Sequence, residues 1–530
     1  MAKGYFSLVL NAHLPFVRHP EFPDFLEERW LFEAISESYL PLLRALKRLE
    51  ADSVPFKVAI SLSPTLQSML GDPVLQKRYL EYLAKQIRFA EAEEERLRDS
   101  PESLALVSLY RELYETALTD ITEQYQGNIL SGFEYFQARG KVELLTSPGT
   151  NPFMPLYQEF PESVNAQIES AVITHRKSFS RAPDGVWLAQ NGYYSALEHH
   201  LKDYNFTYTI LDPRAFVDAD PLPPNASFAP IVSPNGFCFF ARDKESTDAV
   251  VDPHFGYPAN PVYRDFYRDV GYDLPLERLS EFMIDPKARV PIGFKYNAIG
   301  SKTSAKPLYH PEQAQAQAME HAKNYVYQRI QALKNAHQYM GKREPHILAA
   351  YDAELFGHWW FEGVSWLEAM LRSMAQESAD IVMVNPSEYL SQFPPETVSQ
   401  PELSSSAKEG YSVIWLESEN AWLCRHLHKL AERMVELSNR FPNEQGLKER
   451  ALNQAAREVL LSQASDWPYL MRNEPSGQFA RRQIEDAITN FNNVYDMLSR
   501  NAVSTEWLTK LEKRNNLFPA INYRMFRSKR

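Results

Sequence analysis

Seven short apolar runs, at residues 5–10, 56–62, 142–146, 185–189, 206–211, 291–295 and 346–351, punctuate the chain and leave room for helices between them. Parallel strands can be joined only by a crossover, usually a helix, so runs at this spacing predict an α/β barrel of alternating strands and helices. The barrel is expected over 1–71 and 140–395. Between them, 72–139 reads as a helical insertion, because Gln86 to Arg98 carries Glu91, Glu93, Glu94, Glu95, Arg96 and Arg98 as a solvated helix face. Pro221, Pro223, Pro224, Pro230 and Pro234 break regular structure across 218–261, which reads as an excursion over a cleft. Residues 312–338 read as one long helix. Past Pro394-Pro395 and Ser404-Ser405-Ser406, helical periodicity over 422–441, 444–462, 477–500 and 505–515 predicts a helical C-terminal domain at 396–530.

The last apolar run ends in Tyr351-Asp-Ala-Glu-Leu-Phe-Gly-His-Trp-Trp360. Asp352 stands where a barrel strand meets the rim, the place at which such folds hold catalytic groups. A carboxylate beside Phe356, Trp359 and Trp360 suits sugar chemistry, since flat rings cover sugar C–H faces while the acid moves protons. On these ten residues alone, a buried aromatic turn with a capping Asp fits as well.

Further segments add to this one: Tyr5 to Pro20 with its His13-Leu14-Pro15, Trp30-Leu31-Phe32-Glu33-Ala34, Gly256-Tyr257-Pro258, and Tyr263-Arg-Asp-Phe-Tyr-Arg-Asp-Val-Gly-Tyr-Asp-Leu274. Arg425-His426-Leu427-His428-Lys429 and Ser465-Asp466-Trp467-Pro468 complete the set. Together they resemble glycoside hydrolase family 57, and within it the 1,4-α-glucan branching enzymes, over nearly the whole chain. The resemblance implies an incomplete seven-stranded (β/α) barrel. It also implies that Asp352 holds the acid/base position, that His13 and Asp466 orient sugar hydroxyls, and that Trp187, Trp359, Trp360 and Trp467 contact the glucan.

The family's nucleophile is a Glu in a Trp-Leu-Pro-Glu-Cys type segment, whereas Trp187-Leu188-Ala189-Gln190-Asn191-Gly192 places Gln190 there. An amide carries no negative charge with which to form a glycosyl ester or stabilise an oxocarbenium-like state. Other departures share the rim: Asn11 and Asn151 replace family imidazoles, Ala407-Lys408 replaces Trp-Gly, and a family Trp is missing near Val250-Val251. The expectation is a protein that binds α-glucan or maltooligosaccharide with glycosyl transfer impaired or lost. Two alternatives stay open. One is an active branching enzyme or α-glucan hydrolase using a displaced carboxylate, for which Glu354 is a poor candidate because it is free to turn away in the loop. The other is a non-catalytic scaffold for a protein partner in glycogen metabolism.

Composition narrows the classes further. A net charge of −12 without a long basic run argues against nucleic-acid binding and against an anionic membrane surface, and no long apolar stretch suggests a membrane span. Two cysteines, Cys238 and Cys424, give neither a metal cluster nor a disulfide framework, and a reducing cytoplasm is the expected setting. No P-loop or dinucleotide fingerprint is present, so no cofactor is expected. Aromatic residues reach 13%, and most of them must be core.

Overall fold

The computed structural model describes residues 4–528 except 286–287, 301–305, 342, 418 and 473–475. Its strands, in chain order, are β1 (Gly4–Ala12), β2 (Val58–Leu62), β3 (Val142–Leu145), β4 (Gly185–Val186), β5 (Tyr208–Leu211), β6 (Ile231–Val232), β7 (Cys238–Ala241), β8 (His346–Asp352) and β9 (Ile381–Met383). One edge of β1 pairs in parallel with β8, from Tyr5 opposite His346 to Asn11 opposite Asp352. The other edge takes β2 at Val9–Ala12 and the short β9 at Gly4–Phe6. β3 lies beyond β2, a single bridge from Thr146 to Val186 leads on to β4, and β5 and β7 follow in parallel. The ring comes round when the Asp243 N–H, just past β7, donates to the Leu348 carbonyl of β8 at 2.7 Å. Antiparallel β6 occupies an edge of β7, so β7 and β8 are joined by this hydrogen bond rather than by a ladder. The result is the incomplete seven-stranded barrel that the sequence leads one to expect, in the strand order β8-β1-β2-β3-β4-β5-β7.

Strict alternation along the strands separates inside from outside. Val9, Ala59, Leu145, Ile210, Phe240, Leu348 and Ala350 fill the lumen with Trp187. Phe6, Leu8, Leu10, Ile60, Leu144, Ile347 and Ala349 face the surrounding helices. Asn11 and Asp352 continue the inward-facing series beyond Val9 and Ala350, which brings both to the C-terminal mouth.

Two of the strand expectations need correction. Residues 291–295 are not a strand: Gly293 has φ +107, Ile292 gives its carbonyl to Gln86 Nε2 at 2.6 Å, and Phe294 packs on Phe89, Tyr110 and Tyr114. Their apolar side chains are buried by the helices Pro73–Leu97 and Pro101–Thr119 rather than by the sheet. The sixth ring strand is β7, inside the segment read as a proline-broken excursion. The long helix is Pro311–His337, and the later helices Ala421–Arg440, Gly446–Ser462, Ser476–Ser499 and Thr505–Arg514 each begin and end within two residues of their expected limits.

Candidate functional site

The barrel mouth begins with the Asn11–Asp352 pair that the β1/β8 register sets side by side. Asn11 Nδ2 donates to Asp352 Oδ1 at 3.1 Å, and Asp352 is open to solvent. Gln190 follows β4, which is three strands from β8 by way of β5 and β7 and four by way of β3, β2 and β1, so it lies across the mouth from Asp352. Its side chain is exposed, its backbone is left-handed at φ +51, and its carbonyl accepts from the Ser406 N–H at 2.7 Å. Asn191 is also left-handed at φ +49, is fully buried, and donates Nδ2 to the Ile210 carbonyl at 3.1 Å. Two successive non-glycine residues in this sparsely populated region mark a turn whose shape is imposed by its surroundings. Asn151, left-handed as well, accepts the Ser465 hydroxyl on its carbonyl at 2.7 Å and so ties the rim to the segment carrying Asp466.

Glu354, two residues past Asp352, turns inward. Its Oε1 accepts the His13 N–H at 3.1 Å and the Tyr39 hydroxyl. Burial raises the Glu354 carboxyl to about 7; the Tyr39 hydrogen bond opposes this and the charge of Asp352 adds to it. It therefore joins β1 to β8 behind the mouth instead of turning away in the loop. His13 Nε2 meets Asp466 Oδ1 at 2.9 Å and Oδ2 at 3.1 Å. Burial pulls the imidazole pKa down, but the charge and hydrogen bond of Asp466, with Glu354 and Asp352 behind it, carry it above its ordinary value. Two of the expected sugar-orienting residues are thus in contact.

A second polar group beside the mouth escaped sequence reading. The helix Arg29–Ala34 widens into a π turn at Ile35–Tyr39, a feature common at functional sites. There Glu37 Oε2 pairs with His358 Nδ1 at 2.9 Å, while Arg264, 3.9 Å from Glu37, donates to the His358 carbonyl at 3.0 Å. Burial pushes the Glu37 pKa up, but the hydrogen bond and charge of His358 and the charge of Arg264 hold it below the ordinary value. Gly357 makes the close approach possible: at φ +99, a Cβ there would lie 1.8 Å from the Glu37 carbonyl oxygen. One signal was available, since Glu33 and Glu37 sit one helical turn apart with like charge, an arrangement that destabilises a helix unless something else uses it.

The four candidate rings separate by exposure. Trp359 is 49% exposed and lies against Phe266 at a centroid distance of 4.3 Å and His358 at 5.3 Å, with Tyr267 open beside Phe266. The others are core. Trp187 fills the barrel lumen, and Trp360 packs on Tyr263 and Trp366 at 5.4 and 5.5 Å. Trp467 donates Nε1 to the Leu461 carbonyl at 3.1 Å within a second core. Their faces are taken up by protein, so the open platforms expected at Trp187, Trp360 and Trp467 are not available as such. Beyond Asn191, Phe153 stacks on Trp415 at 3.6 Å and 9°, with Ala407 in the same cluster.

Among the described residues, no group of three or more His, Cys, Asp or Glu side chains is placed to hold a metal ion, and no helix is long and apolar enough to cross a membrane. Comparison with known proteins gives the context. The model of glycosyl hydrolase family 57 matches residues 7–404, and that of the 1,4-alpha-glucan branching enzyme C-terminal region matches 426–526. A 1,4-alpha-glucan branching enzyme of Thermococcus kodakarensis is 30% identical over 98% of this chain and 78% of its own length. Among solved structures, the alpha-amylase AmyC of Thermotoga maritima is 38% identical with a TM-score of 0.93, covering 100% of both chains. A family 57 branching enzyme of Pyrococcus horikoshii is 28% identical with a TM-score of 0.88, covering 99% of this chain and 97% of its own. With a family model spanning most of its length and a barrel mouth built as above, the chain belongs to glycoside hydrolase family 57 and is branching-enzyme-like.

Proposed function

We propose that this protein binds α-1,4-glucan at its barrel mouth without transferring it. Gln190 carries this reading: a residue with a neutral amide stands across the mouth from Asp352, at the position where the family resemblance puts a nucleophilic carboxylate. A retaining mechanism needs two carboxyls about 5–5.5 Å apart, one of which must form an ester that an amide cannot. Glu354 offers no substitute, because its Oε1 is committed to His13 and Tyr39. What supports binding is the retained set of Asp352, the His13–Asp466 pair, and the half-open ring of Trp359 against Phe266. The relatives named for branching and for amylase activity both act on α-glucan, so a maltooligosaccharide is the ligand to test. A cytoplasmic role beside an active glycogen-metabolism enzyme is in keeping with two free cysteines and the net negative charge.

The experiment is incubation of the purified protein with amylose, followed by counting new reducing ends and new α-1,6 linkages. Neither should exceed a protein-free control. Formation of α-1,6 branches would restore the branching-enzyme reading, and new reducing ends alone would favour a hydrolase with a displaced carboxylate.

A further inference from the structure

Glu33 stands apart from the other charged residues around the mouth. It lies on the helix Arg29–Ala34 and is half-buried, and no hydrogen bond or ion pair to it occurs among the described residues. Burial raises its pKa; the charge of His358 pulls the other way and that of Glu37 adds to the rise. The neighbouring cations are engaged elsewhere. Arg29 donates to the carbonyls of Pro291 and Phe282 at 3.2 and 3.5 Å. Lys295 Nζ is held by Asp269 Oδ2 at 3.1 Å. His358 gives Nδ1 to Glu37. A carboxylate partly withdrawn from water without a donor of its own is costly, and so is a like-charge neighbour one turn away.

The surroundings show what could supply the donor. Lys295 Nζ lies 5.3 Å from the centre of the Phe266 ring, and Phe266 lies 5.1 Å from His358 and 4.3 Å from Trp359. Glu33 precedes Glu37 by one helical turn, Glu37 holds His358 at 2.9 Å, and the His358 ring lies 5.3 Å from Trp359, so the turn that carries Glu33 adjoins the open Trp359 ring. Since Glu37 is held ionised, His358 donates from Nδ1, which leaves Nε2 as a second polar atom there.

We infer that Glu33 is a sugar-binding residue, whose carboxylate accepts hydrogen bonds from hydroxyls of a glucose unit lying on the Trp359 and Phe266 rings. This rests on the α-glucan-binding reading and gives that site a specificity-determining carboxylate. Glucose hydroxyls are suitable donors: they bring hydrogen bonds without adding charge, and an aromatic face beside a carboxylate meets both the C–H and the O–H surfaces of a pyranose.

The test is calorimetric titration of maltoheptaose into wild type, Glu33→Gln and Trp359→Ala, with the thermal midpoint of each measured alongside. Glu33→Gln keeps the shape but removes the charge-assisted acceptor and the repulsion with Glu37. It should weaken binding about tenfold while the midpoint stays level or rises, a combination that a merely structural role would not give. If Trp359→Ala weakens binding and Glu33→Gln leaves it unchanged, the inference on Glu33 fails while glucan binding stands. A lowered midpoint with full affinity in Glu33→Gln would equally overturn it. If the wild type does not bind at all, the glucan-binding reading fails and this inference fails with it.

Discussion

Glu354 makes the mouth sensitive to pH in a direction that can be worked out. Its ordinary value is near 4.5 and its folded value about 7, so the folded state holds a proton that the unfolded chain releases. This contribution to stability is fully present below about 4.5 and is lost as pH rises through about 7, amounting to roughly 3 kcal/mol across the window. His13, raised above its own ordinary value of 6.5, acts in the same direction at higher pH. Glu354→Gln keeps an acceptor for Tyr39 and His13 and cannot ionise. Denaturant unfolding from pH 4.5 to 8 should therefore show the variant gaining on wild type by roughly that amount, whereas parallel curves would refute the assignment. A second expectation at this scale concerns Gln190. Gln190→Glu by itself should not bring family-like turnover on amylose, because Asn11 on the Asp352 side of the mouth, Asn151 and Ala407 also stand where the family resemblance puts other side chains. Turnover at an ordinary enzymatic rate, on the order of 10 per second, would show that those departures matter little.

Among the elements, the turn after β8 and the π turn at Ile35–Tyr39 depend on each other through Gly357. Gly357→Ala places a Cβ against the Glu37 carbonyl in a left-handed backbone, and thermal unfolding should register a loss of about 2 kcal/mol or more. Trp359 and Trp360 should behave oppositely despite being neighbours. Trp360→Ala opens a cavity in the core and should cost about 3–5 kcal/mol. Trp359→Ala should spare stability and weaken maltooligosaccharide binding by about 1–3 kcal/mol, by analogy with stacking of bases on rings. Calorimetry and melting of the two variants side by side would separate them. The sequence made the order of strands and helices legible because each long helix carries its own periodicity and β1 and β8 are continuous apolar runs. β7 was not legible, since four residues among prolines carry too little pattern. The run at 291–295 misled, because apolar character records burial and not the partner that provides it. The same limit applied to the tryptophans: a motif locates the residue, but only packing decides whether the ring faces sugar or core.

For the whole molecule, seven strands around a filled lumen carry the mouth, and the C-terminal helices complete it by bringing Asp466 to His13 and Ser465 to Asn151. The Asn11–Asp352 and His13–Asp466 pairs and the open ring support the proposed glucan ligand, and the amide at 190 supports the proposed absence of chemistry on it. Isothermal titration of maltoheptaose tests both halves in one trace. The account predicts saturable heats that return to baseline after every injection, with the sugar recovered intact. A steady heat flow from continuing bond cleavage, or no saturable heat at millimolar sugar, would contradict it.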